Sequence, residues 1–293
     1  MSALLSFWSI DWFSLALLTG LALLYGYAAR WQRQPGVGWY VAGLVVVGLV
    51  QTSPLYVLGA HYLLSAHMMG HMLLLLIAAP LLVLGLPKQS SGKGGFLVKK
   101  LSVFFVRRPW MGWLLGVGIM WFWHIPSVYD ATVAHDYSTA LGDIASIPIC
   151  RGGGSSAGML ANLAHILHPI SLLLAGGCFA WPLIGPFPEQ RIHPMVGIAY
   201  LASACLGCSL MGMLITFAPV GVYQTYVGAD YYGLLRQIHE DWGFDRATDQ
   251  QTAGLLMWVP GCLIYLTGAL YLFTNWLTVA DKPVGPLLWN EEK

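Results

Sequence analysis

Seven long stretches without any Asp, Glu, Lys or Arg dominate this chain of 293 residues. They cover residues 12–29, 39–59, 62–86, 110–128, 158–184, 194–218 and 251–277. About 18 or more apolar residues let an α-helix cross the hydrocarbon core of a bilayer. Charged residues make up 9% of the sequence, against about 25% in a typical soluble domain. We therefore predict an all-α, polytopic membrane protein whose residues 1–293 form a single bundle of seven transmembrane helices.

The basic residues between the spans predict the orientation of this bundle. If the N-terminus is outside, the inner segments hold eleven Lys and Arg residues and the outer segments hold three. Cytoplasmic loops carry the excess of such residues, so we expect an outer N-terminus and a cytoplasmic C-terminus in the cell membrane. Nine of the thirteen acidic residues then lie outside, where they would attract cations. The net charge of +1 gives no indication of nucleic-acid binding.

Two connections are long enough to fold. The inner connection 88–109 mixes basic and apolar residues, which fits either a helix lying on the inner lipid surface or an ordinary loop. The outer connection 219–250 is rich in Tyr and acidic residues, and we expect a short helix around Tyr231–Glu240.

The histidines gather on one side of the predicted bundle. Eight of the nine fall in its outer half, and His193 is the exception. These eight are His61, His67, His71, His124, His135, His165, His168 and His239. Three belong to the start of the third span, one to the end of the fourth, and two to the start of the fifth. At about 100° per residue, His67 and His71 share a helix face, as do His165 and His168.

Such a group predicts a metal or haem site between the three helices, because polar residues within a membrane are costly and tend to be functional. The alternative is that each histidine forms a hydrogen bond between helices. Imidazole binds zinc, copper, iron or nickel, whereas thioether favours Cu(I), and methionines interleave the histidines in "HMMGHM". We therefore predict copper. The predicted ligands are His67, His71, His124, His165 and His168, with His61, Met68 and Met72 as further candidates. Asp130 is predicted to orient a ligand imidazole by accepting a hydrogen bond from it.

The cysteines give a weaker signal. Five cysteines without regular spacing do not predict a disulfide framework. Cys205 and Cys208, three residues apart in the sixth span, fit either Cu(I) binding or simple packing, and Cys178 and Cys262 are interpreted as core residues. No Ser-His-Asp order or paired carboxylates indicate a hydrolytic site, and we predict a protein that is not an enzyme.

Several segments carry a family resemblance. They are "SPL" at 53–55, "HMMGHMLLLLIAAPLLVLGLP" at 67–87, "WHIPSVYDA" at 123–131, "GGCFAWPLIGP" at 176–186 and "DQQTAGLLMWVPG" at 249–261. From about residue 50 to 277 the chain resembles the CtaG family of caa3-type cytochrome c oxidase assembly factors. The resemblance implies a role in assembling haem-copper oxidases, with copper handled at the outer (periplasmic) face.

Carried onto this sequence, the resemblance implies functional roles for His67, His71, His124, Asp249 and Gln250. It also implies oxidase subunits and a copper chaperone as partners. Asp249 fits two interpretations: the N-cap of the seventh span, or a neighbour of Gln250 at the level of the histidines, where Gln250 would bind a ligand or a water.

Three other functions are compatible with the residues. Two histidines on different helices would suit a haem-binding electron carrier. The H-x-x-x-H and H-x-x-H spacings are those of membrane di-iron oxygenases, although the histidine boxes of that class face the cytoplasm. A structural accessory subunit of an oxidase, without any metal of its own, would use its histidines only to bridge helices.

Overall fold

The computed structural model describes residues 8, 12–29, 35–88, 92–133, 156–223 and 233–280, and within these ranges the regular structure is helical throughout. The α-helices are α1 (Trp12–Ala29), α2 (Val37–Thr52), α3 (Pro54–His61), α4 (Leu64–Met72), α5 (Ala79–Gly85), α6 (Gly92–Arg107), α7 (Pro109–Trp123), α8 (Pro126–Val133), α9 (Ser156–Ile184), α10 (Pro194–Phe217) and α11 (Arg246–Ala280). The all-α prediction is thus confirmed. His135, Tyr231 and the chain ends lie outside the described residues.

Five described segments are long and apolar enough to cross a membrane: Trp12–Ala29, Leu64–Gly85, Ile166–Ile184, Pro194–Phe217 and Arg246–Thr278. A sixth results if α2 and α3, which meet at a bend of 49°, count as one span. Helix α7 has 15 residues, which gives about 22 Å of helix against a hydrocarbon core of about 30 Å. The protein is therefore multi-pass, but the described residues do not reach the predicted count of seven spans.

Prolines divide the predicted spans because proline lacks a backbone N–H and disfavours helical geometry in the residue before it. Pro54 starts α3 after a break at Ser53, whose hydroxyl accepts a hydrogen bond from the Leu55 amide at 3.3 Å. Pro126 starts α8 after the break that follows α7. Near Pro80 the helix widens into a π-helical segment, Leu73–Ala78, which joins α4 to α5.

A short turn joins α3 to α4. Helix α3 ends at His61, and the turn falls at Tyr62 and Leu63. Gly59 permits close packing of the two helices, since a Cβ there would lie 2.9 Å from the backbone nitrogen of His67.

The segment Leu64–Gly85 lies at the centre of the bundle, with α2, α9 and α11 packed around it. Small residues allow this packing, as is usual between membrane helices. A Cβ on Gly176 of α9 would collide with the backbone oxygen of Leu75, and a Cβ on Gly116 of α7 would collide with Phe179 of α9. Because α9 touches both neighbours so closely, the polar ends of α4, α7 and α9 meet.

Both of the connections that were predicted to fold contain helical structure. The connection at 88–109 forms α6, which buries Val98 and Phe105 against Trp181 while Lys99 and Lys100 remain exposed. The connection at 219–250 includes a π-helical turn, Gln237–Asp241, whose Ile238 packs on the turn between α3 and α4.

Candidate metal centre

Helix α4 carries His67, Met68 and His71, and its start is fixed by a residue from the other end of the chain. The preceding residue, Leu63, has no side-chain group to cap the helix. The Asp249 carboxylate instead accepts hydrogen bonds from the amides of Leu64, at 2.7 Å, and Ser65, at 3.0 Å. These are two of the amide groups that a helix N-terminus leaves without an internal acceptor. Asp249 therefore fixes where α4 begins.

Three histidines from two helices converge. One ring nitrogen each of His67 and His71 on α4 and of His168 on α9 lie within 4.8 Å of one another. The Nε2 atoms of His71 and His168 are 2.5 Å apart, and the three ring centroids are separated by 4.5 to 5.3 Å. Three imidazole nitrogens this close together are compatible with binding of a single metal ion.

His124 and Met68 extend this group of donors. The Nδ1 atom of His124 lies 2.5 Å from the Met120 carbonyl oxygen, and because a carbonyl only accepts, Nδ1 carries the proton. Nε2 of the neutral ring then presents a lone pair, and it faces the Met68 sulfur at 2.9 Å. Both atoms are electron-pair donors, so the pair is suited to a shared soft cation. The His124 and His71 rings are 4.9 Å apart.

This cluster is lined by aromatic residues that were not among the predicted site residues. Tyr129, fully buried on α8, contacts the His67 ring edge-on at 5.0 Å, and Trp123 contacts His168 likewise. Trp123 is itself held by donating to the Ser171 hydroxyl at 2.8 Å. The Tyr223 hydroxyl donates to the His124 carbonyl at 3.0 Å. Tyr129 follows His124 in "WHIPSVYDA", which could have suggested it, whereas no sequence signal indicated Tyr223.

The remaining predicted site residues lie as follows. His61 ends α3 and is half-buried, across the turn from His67. His165 lies on α9 one turn before His168. Met72 is buried, with its methyl group near Gly261 of α11, and Asp130 is half-buried on α8.

Asp249 and Gln250 contact helix ends. Asp249 is a cap, but of α4 and not of its own helix, whose first turn is capped by Asp245 through a 2.7 Å bond from the Thr248 amide. The Gln250 amide donates to the carbonyls of Ala218, at 2.9 Å, and Ile215, at 3.2 Å, where α10 ends. The start of α11 thus holds both α4 and α10.

A cavity of about 200 Å³ opens beside these contacts. Tyr223, His239, Asp245, Arg246 and Asp249 contribute to its lining. Since Tyr223 also binds the His124 backbone, the cavity reaches the same end of the bundle as the histidine cluster.

The fold and site define a class: multi-pass helical membrane proteins with a histidine cluster between helices that is compatible with metal binding. The model of one family, described as cytochrome c oxidase caa3 assembly factor (Caa3_CtaG), matches residues 17–144 and 153–278. The chain belongs to this family, which is one of assembly factors and not of enzymes. This confirms the resemblance drawn from the sequence. No curated protein and no solved structure matches the chain.

Proposed function

We propose that this protein assists the assembly of a cytochrome c oxidase by holding Cu(I) at the histidine cluster and passing it to an oxidase subunit. The observation that carries the proposal is the convergence of His67, His71 and His168, whose ligand atoms lie within 4.8 Å of one another inside a chain of the caa3 assembly-factor family.

The donor set favours copper over other ions. Hard cations such as magnesium and calcium take oxygen ligands, while the donors that meet here are imidazole nitrogens with a thioether beside them. The Met68 sulfur adjacent to His124 adds the ligand type that prefers Cu(I). Neutral ligands leave the single charge of Cu(I) uncompensated, so we expect charged ligands of a partner to compete for the ion.

The close ring packing favours a bare ion over a haem. A haem held by two axial imidazoles needs the rings on opposite faces of a flat macrocycle. The rings of His67, His71, His124 and His168 contact one another at centroid distances of 4.5 to 5.3 Å, which suits several nitrogens converging on one small ion.

The proposal includes seven spans and an outer, periplasmic histidine cluster. Helix α7 serves as the seventh span, shortened because α6 and α8 adjoin its two ends. The excess of basic residues in the segments that contain α6 supports a cytoplasmic position for that helix. The cluster, at the opposite end of α7, then faces the side where a copper chaperone and the copper-binding subunits of an oxidase are reached.

The test is complementation in cells that make a caa3-type oxidase but lack this protein. The His67→Ala/His71→Ala variant should leave the oxidase short of copper while its haem content is retained. The matched control is His193→Asn, which removes an exposed histidine outside the cluster, keeps a side chain that can cap α10 as His193 does, and should restore full copper loading. An oxidase that is fully copper-loaded with the double variant would contradict copper handling, and would favour a structural accessory role.

A further inference from the structure

A second group of soft ligands lies between α10 and α11, apart from the histidine cluster. The Cys205 thiol donates to the Cys262 sulfur at 2.8 Å, and the Ser209 hydroxyl lies 3.1 Å from the Cys262 sulfur. These cysteines are 57 residues apart in the chain, so only the packing of the two helices brings them together. Sequence spacing had paired Cys205 with Cys208 and had left Cys262 as a core residue.

Close packing of the helix backbones holds the two thiols in place. A Cβ on Gly212 of α10 would lie 2.7 Å from the carbonyl oxygen of Gly254 on α11. Cys208, between this contact and Cys205, donates to the Met257 carbonyl at 2.9 Å. Cys208 is fully buried, so among the three cysteines of α10 and α11 the half-buried Cys205 and Cys262 form the pair that a ligand reaches more readily.

We propose that Cys205 and Cys262, with the Ser209 hydroxyl beside them, form a second soft-metal site that binds Cu(I) through two sulfur ligands. Thiolate sulfur selects soft ions such as Cu(I), whereas a structural zinc site takes four protein ligands in a tetrahedron. Metal–sulfur bonds are about 2.3 Å long. An ion bound between the two sulfurs therefore requires them to lie farther apart than their present 2.8 Å, and rotation of the side chains would separate them.

The protons released on binding are accounted for. Cu(I) binds thiolates, so one ion displaces the protons of both thiols, and the two protons leave to the buffer. The oxidation state of copper and of both sulfurs is unchanged. One positive ion with two thiolates carries one net negative charge where the bare thiolates would carry two, which reduces the cost of placing charge between membrane helices.

One methionine lies between the two groups of ligands. The Cys208 sulfur and the Met72 methyl group both lie within 3.3 Å of the position a Cβ would occupy on Gly261, the residue before Cys262. Met72 follows His71 directly on α4. The second site is thus separate from the histidine cluster, and it extends the ligand set of the proposed function along α10 and α11.

The test is an anaerobic titration of the purified full-length protein with Cu(I) against a chromophoric Cu(I) chelator. The wild type should bind two equivalents, and Cys205→Ser/Cys262→Ser should bind one. Cys178→Ser, which removes a half-buried thiol on α9, should still bind two. His67→Ala/His71→Ala should keep one equivalent, with sulfur scattering in its X-ray absorption spectrum. Thiol variants that bind as many equivalents as the wild type would overturn the second site.

Two further outcomes keep this inference separate from the proposed function. If the histidine variant binds no copper at all, the thiol site is wrong and the histidine site stands. If the thiol variant binds none and the histidine variant binds normally, the thiol site stands and the proposed function fails.

A second experiment uses only the wild type, so it does not depend on whether a variant folds. Ag(I) should protect Cys205 and Cys262 from reaction with maleimide, and mass spectrometry of the peptides measures the labelling of each cysteine. Equal labelling with and without Ag(I) would also overturn the proposal.

Discussion

The carboxylate of Asp249 accepts a 2.7 Å hydrogen bond from the amide of Leu64, a residue 185 positions earlier in the chain. The contact is buried, and a second bond from Ser65 completes it. It joins the first turn of α11 to the first turn of the helix that carries His67 and His71. The position of the histidine pair therefore depends on the last helix of the bundle.

Asp249→Ala should destabilise the protein and loosen the histidine cluster. Two buried amides lose their acceptor, and each such loss costs about 1–3 kcal/mol. Asp249→Asn keeps one acceptor oxygen and should recover part of the loss. The measurement is thermal unfolding in detergent together with copper retained after dialysis. Asp241→Ala, which removes an exposed carboxylate, serves as the control, and an Asp249→Ala protein as stable as that control would refute the capping role.

Gly176→Ala should be far more disruptive than Gly177→Ala, although the two glycines are adjacent. A Cβ on Gly176 meets the Leu75 backbone, whereas a Cβ on Gly177 meets only a Val83 methyl group at 3.7 Å, an ordinary contact. Overpacking of this kind costs about 1–3 kcal/mol. Pulling α9 away from the segment Leu64–Gly85 also moves His168 away from His71. We expect Gly176→Ala to lower both the unfolding temperature and copper binding, and Gly177→Ala to leave both near wild type. Similar values for the two variants would contradict the packing described.

Met68→Leu should weaken Cu(I) binding without weakening the fold. The exchange conserves volume but removes the sulfur that lies 2.9 Å from His124 Nε2. We expect an affinity loss of about tenfold, which corresponds to about 1.4 kcal/mol, in competition with a chromophoric chelator. Met69→Leu changes the neighbouring methionine and should have no such effect. Equal affinities in the two variants would exclude the Met68 sulfur from the site.

Acid should weaken the start of α11 through Asp245. Hydrogen bonds from the Thr248 amide and side chain lower the pKa of the Asp245 carboxyl below its ordinary value of 3.8. A lowered pKa in the folded state means that the stabilisation is complete above 3.8 and is lost as the pH falls through the folded pKa. The loss of stability below about pH 4 should therefore be smaller in Asp245→Asn than in the wild type, as measured by thermal unfolding across pH 2.5–6. Parallel curves would show that Asp245 contributes nothing to the acid response.

Local sequence patterns predicted the parts of this structure that depend on local geometry. The absence of charges marked the apolar helices, because the lipid core excludes charges along a whole span. His67 and His71, four residues apart, face the same way on one helix because of the helical repeat alone. The histidines of α4 and α9 were predicted to lie at the same depth in the membrane, and the structure brings His168 close to His67 and His71.

The contacts that complete the site depend on tertiary packing, so they could not be predicted from the local sequence. Nothing in the segment near Asp249 indicates that its carboxylate binds the start of α4 and not its own helix. The turn at Tyr62 places His61 on a separate helix from His67, which a continuous apolar run does not reveal. Cys262 was assigned to the core because its partner, Cys205, comes from a helix that is distant in sequence.

The most direct test of the central claim is the metal content of the purified protein, measured by mass spectrometry after anaerobic reconstitution with Cu(I). Both proteins compared should carry Cys205→Ser/Cys262→Ser, so that only the histidine cluster can retain copper. We predict about one copper per chain when His67 and His71 are present and none when both are replaced by alanine. Equal copper in the two proteins, or none in either, would contradict a copper site at the histidine cluster.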